Sequence, residues 1–371
     1  MATDIQLAFM AGRAYYDTRK DINRFPVPDG WTEFFHVPNN PDYPMFSGVA
    51  GFEAVSFQKG NEIVISYAGT YDKDYTGDIM ADIGLATGNG SAQLLQAAEY
   101  YLQVKAANDA NPNVHITLTG HSLGGGLAAL VGVFFGVQVS TFDQAPFARS
   151  AATPYLLPPN VAASLRNDLA AQLDSKGKRL YNDNALAGLT NYLQLQAANG
   201  GIPNAQLVST IRVDGEFLSA VPPSIFSPIG SPATILHHGP YSNPSLDMHS
   251  IALLTAFLES DATAATVAGI KQSLNEVTTK LTSLLGMFFD SSLYAFDTDP
   301  TNTKDSNFLE NLIRHQEGLD PAVPNDGDQM LTRFTSDLWK IAQDGGLTMS
   351  NIVADTLIGG EDNNWHWRLA A

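Results

Sequence analysis

The feature that most restricts how this chain can fold is a strand that breaks into a glycine-crowded turn and restarts as a helix. The strand reads VHITLTG (114–120), the turn Gly120-His121-Ser122-Leu123-Gly124, and the helix pattern GGGLAALVGVFFG (124–136). A serine between two glycines at a strand-to-helix turn sits in the context of a nucleophile elbow. There the main chain is strained, bulky neighbours would collide, and the hydroxyl is lifted clear of the sheet. The helix that follows aims its N-terminal N–H groups at the same spot and favours developing negative charge. Ser122 is the candidate nucleophile; without those neighbours the string would be a plain strand-to-helix turn.

The rest of the chain supplies elements that suit such a turn. GFEAVSFQKGNEIVISYAGT (51–70) reads as a hairpin turning at Gln58-Lys59-Gly60-Asn61. VQVSTFD (137–143) and AQLVSTIRV (205–213) read as further strands, 3–19 and 91–110 as helices, and the Pro/Gly/Asn-rich stretch 25–48 as a loop. Strands alternating with helices imply a mostly parallel sheet covered on both faces, as in the α/β-hydrolase fold. Residues 148–204 interrupt the alternation with two helical patterns, one through Val161, Leu165, Leu169 and Leu173, the other through Leu186, Leu189 and Leu193. The polar string SKGKRLYNDN separates them. Such an insertion either packs on the sheet or caps the site; a cap is the expectation. Residues 1–260 thus read as a catalytic domain. Residues 261–371 read as a helical C-terminal region, with an apolar stripe at Val267, Ile270, Leu274, Val277, Leu281 and Leu284 and helical patches at 327–343 and 349–358.

Composition narrows the partners. With 44% hydrophobic residues the chain can bury a large core. A net charge of -18 argues against a nucleic-acid partner and against steady docking on an anionic membrane, while leaving transient contact with a neutral lipid interface open. There are no cysteines, so disulfides and thiolate chemistry are excluded. The acidic loop DTDPTNTKDSN (297–307) lacks the turn glycine and terminal glutamate of a calcium loop, and no metal or cofactor is expected. No run of 18 apolar residues suggests a transmembrane helix. Asp4 and Arg13 break the pattern of a secretory signal, so the expectation is export by a route that reads another signal, or else a cytoplasmic protein.

A nucleophilic serine needs a base, an acid that orients it and two oxyanion donors. In this fold class the chain order is Ser, acid, His. His237, His238, His249, His315 and His366 follow Ser122; His249 alone is followed at once by an apolar helix, IALLTAFL, that can anchor its loop. Asp143, Asp214 and Glu216 each follow a predicted strand and compete as the acid. The backbone N–H of Leu123 is one oxyanion donor. Thr70, at the end of ISYAGT (65–70), is the other.

These motifs resemble the fungal-type class 3 lipases, which pair an Arg-Gly-Ser/Thr oxyanion loop with a Gly-His-Ser-Leu-Gly-Gly elbow. The resemblance covers roughly 50–260. Tyr67-Ala68-Gly69-Thr70 replaces the arginine of that loop, and Asp78 to Asp82 is similar to the acidic segment after it. Thr141-Phe142-Asp143-Gln144-Ala145-Pro146 resembles the family's Thr-Phe-Gly-Gln-Pro, with Asp143 in place of glycine. Ile211 to Pro223 resembles the catalytic-acid segment in ungapped register, which puts the family's aspartate on Glu216. The resemblance implies an ester hydrolase acting on a lipid ester. A triacylglycerol lipase is the expectation, with a phospholipase A1 or a polyester-degrading esterase as alternatives. A non-catalytic lipid-binding protein on the same fold is the alternative of another class.

Overall fold

The structure is a computed structural model. It describes residues 1–15, 25, 27–28, 30–37, 52–69, 91–152, 160–213, 216, 218, 227–230, 234–236, 249, 251, 254–255 and 258. Two compact units partition the chain. The first holds Met1–Thr18, Gly30–Arg212 and Leu218–Thr234; the second holds Arg19–Asp29, Val213–Phe217 and Ile235–Ala371.

In the first unit, strands β1 (Thr32–Val37), β2 (Ala54–Lys59), β3 (Glu62–Tyr67), β4 (His115–His121), β5 (Gln138–Phe142) and β6 (Val208–Val213) lie side by side in chain order. The first three are antiparallel, β2 and β3 being joined by the two residues Gly60 and Asn61. From β3 to β6 every pairing is parallel, with Tyr67 opposite Gly120, His121 opposite Phe142 and Phe142 opposite Ile211. A three-residue strand, β7 (Thr234–Leu236), begins where the first unit ends.

The stretch expected as a loop at 25–48 contains β1. Its pairing with β2 shifts register between Phe34 and His36, and that irregularity masks the alternation a strand usually displays.

Helices cover both faces. α1 (Asp4–Arg13) opens with a capping box between Thr3 and Gln6 and buries Leu7 through Gly12. Arg13, the residue that breaks the apolar run at the N-terminus, donates from Nε to Glu33 of β1 at 2.9 Å. α2 (Ser91–Asn108) and α3 (Leu123–Phe135) lie on the other face. The assignment of faces follows from β4: His121 meets Tyr15 just beyond α1, while its neighbour Gly120 meets Gly124 of α3. Successive strand residues point to opposite faces. On the α2–α3 face Ile63, Ile65 and Tyr67 of β3 join Leu118, Leu127, Leu130 and Phe134 in one core.

The insertion forms α4 (Ala148–Ala152), α5 (Val161–Ala171) and α6 (Ala187–Asn199). Its apolar residues Leu165, Leu169, Leu186, Leu189 and Tyr192 belong to that same core. Tyr192 packs edge-on against Phe134 at 4.9 Å and donates its hydroxyl to the carbonyl of Ala151. Gly188 lies so close to Phe135 that a Cβ there would sit 2.9 Å from its carbonyl oxygen. Leu173, the last residue of the first apolar pattern, is exposed instead. The C-terminal stripe and patches beyond residue 261 lie outside the described residues. None of the described helices is long and apolar enough to cross a membrane.

Candidate active site

β4 ends at His121, and the turn beyond it strains one residue. Ser122 has φ 57° and ψ -126°, a main-chain conformation that side-chain-bearing residues rarely adopt. Three backbone bonds fix it: its N–H donates to Phe142, and its carbonyl accepts from Gly126 and Ala145. The flanking glycines are required by contact. A Cβ on Gly120 would fall 2.5 Å from the carbonyl carbon of Gly124; one on Gly124 would fall 2.0 Å from the carbonyl oxygen of Tyr67. The helix therefore starts against the end of β3, and Leu123 is its first residue. Gly69 lies there too: a Cβ on it would be 3.2 Å from Cβ of Ser122. Thr70, the next residue, is outside the described residues.

Behind the serine, Tyr15 takes part although no sequence motif singles it out. The Tyr15 hydroxyl and Nδ1 of His121 share a buried hydrogen bond of 2.9 Å. Nε2 of His121 is 3.9 Å from a carboxylate oxygen of Asp143, both groups being fully buried. Asp143 follows β5 with φ 41°, a left-handed backbone, at the position where the class 3 pattern carries glycine. Aspartate tolerates that region better than most residues. In this unit Asp143 therefore lies beside the elbow histidine.

In the second unit, Nδ1 of His249 and Oε2 of Glu216 form a buried hydrogen bond of 3.0 Å. His249 sits at a 3-10 turn ahead of helical Ile251, Leu254 and Thr255, whose hydroxyl donates back to the carbonyl of Ile251. Glu216 lies three residues beyond the end of β6, its N–H donating to the carbonyl of Val213. The structure thus joins one acid to one base among the sequence candidates. Asp214, His237, His238, His315 and His366 lie outside the described residues.

An open cavity of about 680 Å³ lies at the other ends of the strands, lined by Glu62, His115 and Gln138, where β3, β4 and β5 begin. Ser122 follows the carboxyl end of β4, the edge where such sheets carry their sites.

Residues 6–232 match the Tle-like phospholipase domain. The chain belongs to this family. It is also 35% identical over 97 residues to an extracellular phospholipase A1 of Serratia liquefaciens, a match that spans 26% of this chain and 28% of that relative. Among solved structures it is similar to a mutant form of MDLA from Penicillium cyclopium, at 12% identity, covering 66% of this chain and 82% of that one, with a TM-score of 0.35. A lipase from Rhizopus microsporus var. chinensis matches at 12% identity over 64% and 75% of the two chains, with a TM-score of 0.32. The mostly parallel sheet with helices on both faces and Ser122 at its strand-to-helix elbow is an α/β-hydrolase arrangement, and the chain carries a phospholipase-like domain over residues 6–232.

Proposed function

We propose that this enzyme is a serine phospholipase that cleaves an acyl ester of a glycerophospholipid through an acyl-enzyme. The observation that carries the reading is the strained, glycine-flanked Ser122 elbow in a chain of a phospholipase-domain family. The hydrogen bond from Nδ1 of His249 to Glu216 supports the roles of the partners. With Nδ1 donating to the carboxylate, Nε2 is left with its lone pair and is the base. Ser122 Oγ attacks the ester carbonyl as His249 Nε2 takes its proton. The backbone N–H of Leu123 and the Thr70 position stabilise the oxyanion. His249 then protonates the departing lysophospholipid alkoxide, and water releases the fatty acid by the same route. Glu216 holds the imidazole in one tautomer and stabilises its charged form.

Triacylglycerol hydrolysis is the second reading, favoured by the class 3 motifs at 65–70 and 119–126. The relative from Serratia liquefaciens is named as extracellular, which supports action outside the producing cell.

The deciding assay is a hydrolysis profile over phospholipids with different chains at the two glycerol positions, triglycerides and soluble esters, with Ser122→Ala as the blank. Release of the sn-1 chain ahead of triglyceride cleavage is expected. Faster turnover of triglyceride would overturn the phospholipase assignment. Undiminished turnover by folded Ser122→Ala would overturn the mechanism, since loss of this group costs on the order of 10^6 in turnover.

A further inference from the structure

The polar string between the two insertion helices forms a small, ordered ribbon. Leu180 N–H donates to Gln172 at 3.0 Å, Asp174 N–H to Lys178 at 2.8 Å, and Gly177 N–H to Asp174 at 3.0 Å. Leu173 and Arg179 face each other as an antiparallel bridge. Gly177 closes the turn in the left-handed region, at φ 75°. The Asp174 carboxylate accepts from the N–H groups of Lys176 and Lys178, both at 2.9 Å, and so holds the tip together.

Two properties set this ribbon apart. Among the described residues the large exposed hydrophobics are Met1, Leu173 and Leu180, so two of three stand at the base of one ribbon, 53% and 44% exposed. Cations crowd the tip: Lys176, Lys178 and Arg179 occupy three of four consecutive positions, in a chain with only 20 basic residues in 371. The nearby acids offset this little. Asp174 is engaged by the turn, and Asp183 reaches Arg179 only at 4.0 Å with both side chains largely exposed.

We propose that the 172–180 ribbon docks on an anionic phospholipid surface, its cations meeting headgroup phosphates and Leu173, which shares a ribbon face with Arg179, lying against the headgroup layer. A basic tip flanked by apolar side chains is the pairing that interfacial binding uses. The rest of the chain is strongly acidic and would be repelled by the same surface, so attraction must be local, within about a Debye length of the tip. Net charge alone disfavours such docking, and the proposal confines it to this one surface. The proposal accords with a lipolytic enzyme but does not depend on which ester is cleaved.

The test uses full-length Ser122→Ala protein, which binds without consuming the vesicles. Cosedimentation with phosphatidylglycerol-containing vesicles is compared with phosphatidylcholine vesicles at low and high salt. Binding to the anionic vesicles, lost with salt, is expected. K176Q/K178Q/R179Q should weaken it about a hundredfold, at roughly fivefold per surface charge. L173S should weaken it further at low salt, where the ionic contacts hold the ribbon on the surface. Both variant sets, with Ser122 intact, should hydrolyse a soluble ester at the wild-type rate and keep the wild-type circular dichroism. Equal anionic-vesicle binding by the charge variant would overturn the proposal. So would retention on a polyglutamate matrix without vesicle binding, which would assign the tip to an acidic protein instead. Failure of soluble-ester turnover in the wild type would count against the catalytic reading and leave the binding result standing.

Discussion

Adding one methyl group at Gly124 tests the geometry of the elbow directly. The new Cβ would lie 2.0 Å from the carbonyl oxygen of Tyr67 and 2.7 Å from the carbonyl group of Ala68, whereas ordinary contact begins near 3.4 Å. The start of α3 must therefore move away from β3 by about 1.4 Å, the shortfall of the 2.0 Å contact from 3.4 Å. β3 does not yield easily: Tyr67 is paired with Gly120 and its hydroxyl donates to Ala97 of α2 at 2.8 Å. The displacement falls on the helix and on Ser122 at its head. Overpacking of this kind costs about 1–3 kcal/mol, or roughly 2–4 °C of Tm for each kcal/mol in a domain of this size. Misplacing a reacting group by about 1 Å costs about a hundredfold in rate. Gly124→Ala should thus lower kcat/KM on a soluble ester at least a hundredfold and slow fluorophosphonate labelling in parallel, with a fall in Tm of several degrees. Gly200→Ala is the control. Unlike Gly124 it has a positive φ, 68°, but it has nothing within 4 Å of the new methyl, so it should cost about 1–3 kcal/mol of stability and leave turnover intact. Wild-type turnover and Tm in Gly124→Ala would refute the close approach of helix and strand.

Glu216→Gln should lower turnover by about 10^4 while Asp143→Asn retains most of it; pre-steady-state labelling of both variants checks the order, and the reverse order would move the acid to Asp143. Leu189→Ala removes a fully buried side chain from α6 and should cost about 2–5 kcal/mol in denaturant unfolding; a negligible cost would mean that the helix is lifted from the core in solution, as a cap would be. Burial pushes the Tyr101 phenol up to about 12 and that of Tyr67 well above its usual value. In the unfolded chain they ionise near 10, so the stability they contribute is whole below about pH 10 and is lost as pH rises from there through about 12. Denaturation midpoints that fall over that interval, with phenolate absorbance lagging until unfolding, are expected; flat stability through it would refute the burial.

What could be read from the sequence was decided by local sterics. The elbow announces itself because glycine at 120 and 124 is demanded by atoms nearby in the chain and in the adjoining strand. The parallel strands from β3 to β6 follow from apolar runs bounded by turns. β1 was hidden because its register irregularity breaks the alternation between Phe34 and His36. The Tyr15–His121 bond spans 106 positions and has no local signature. The choice of Glu216 rested on register with a known family, since alternation places 214 and 216 on the same side. The order of the SKGKRLYNDN string depends on one aspartate side chain bonding two N–H groups, which composition does not reveal.

The backbone at Ser122 also limits which chemistries this scaffold can acquire by mutation. A residue at φ 57° must forgo branching at Cβ, because a second substituent there meets the main chain. Cysteine fits the same mould, so a thiol-dependent descendant is one step away. Threonine, though it carries a hydroxyl, is excluded by the turn itself, and a lineage built on this elbow cannot drift from serine to threonine without first rebuilding the junction of β4 and α3.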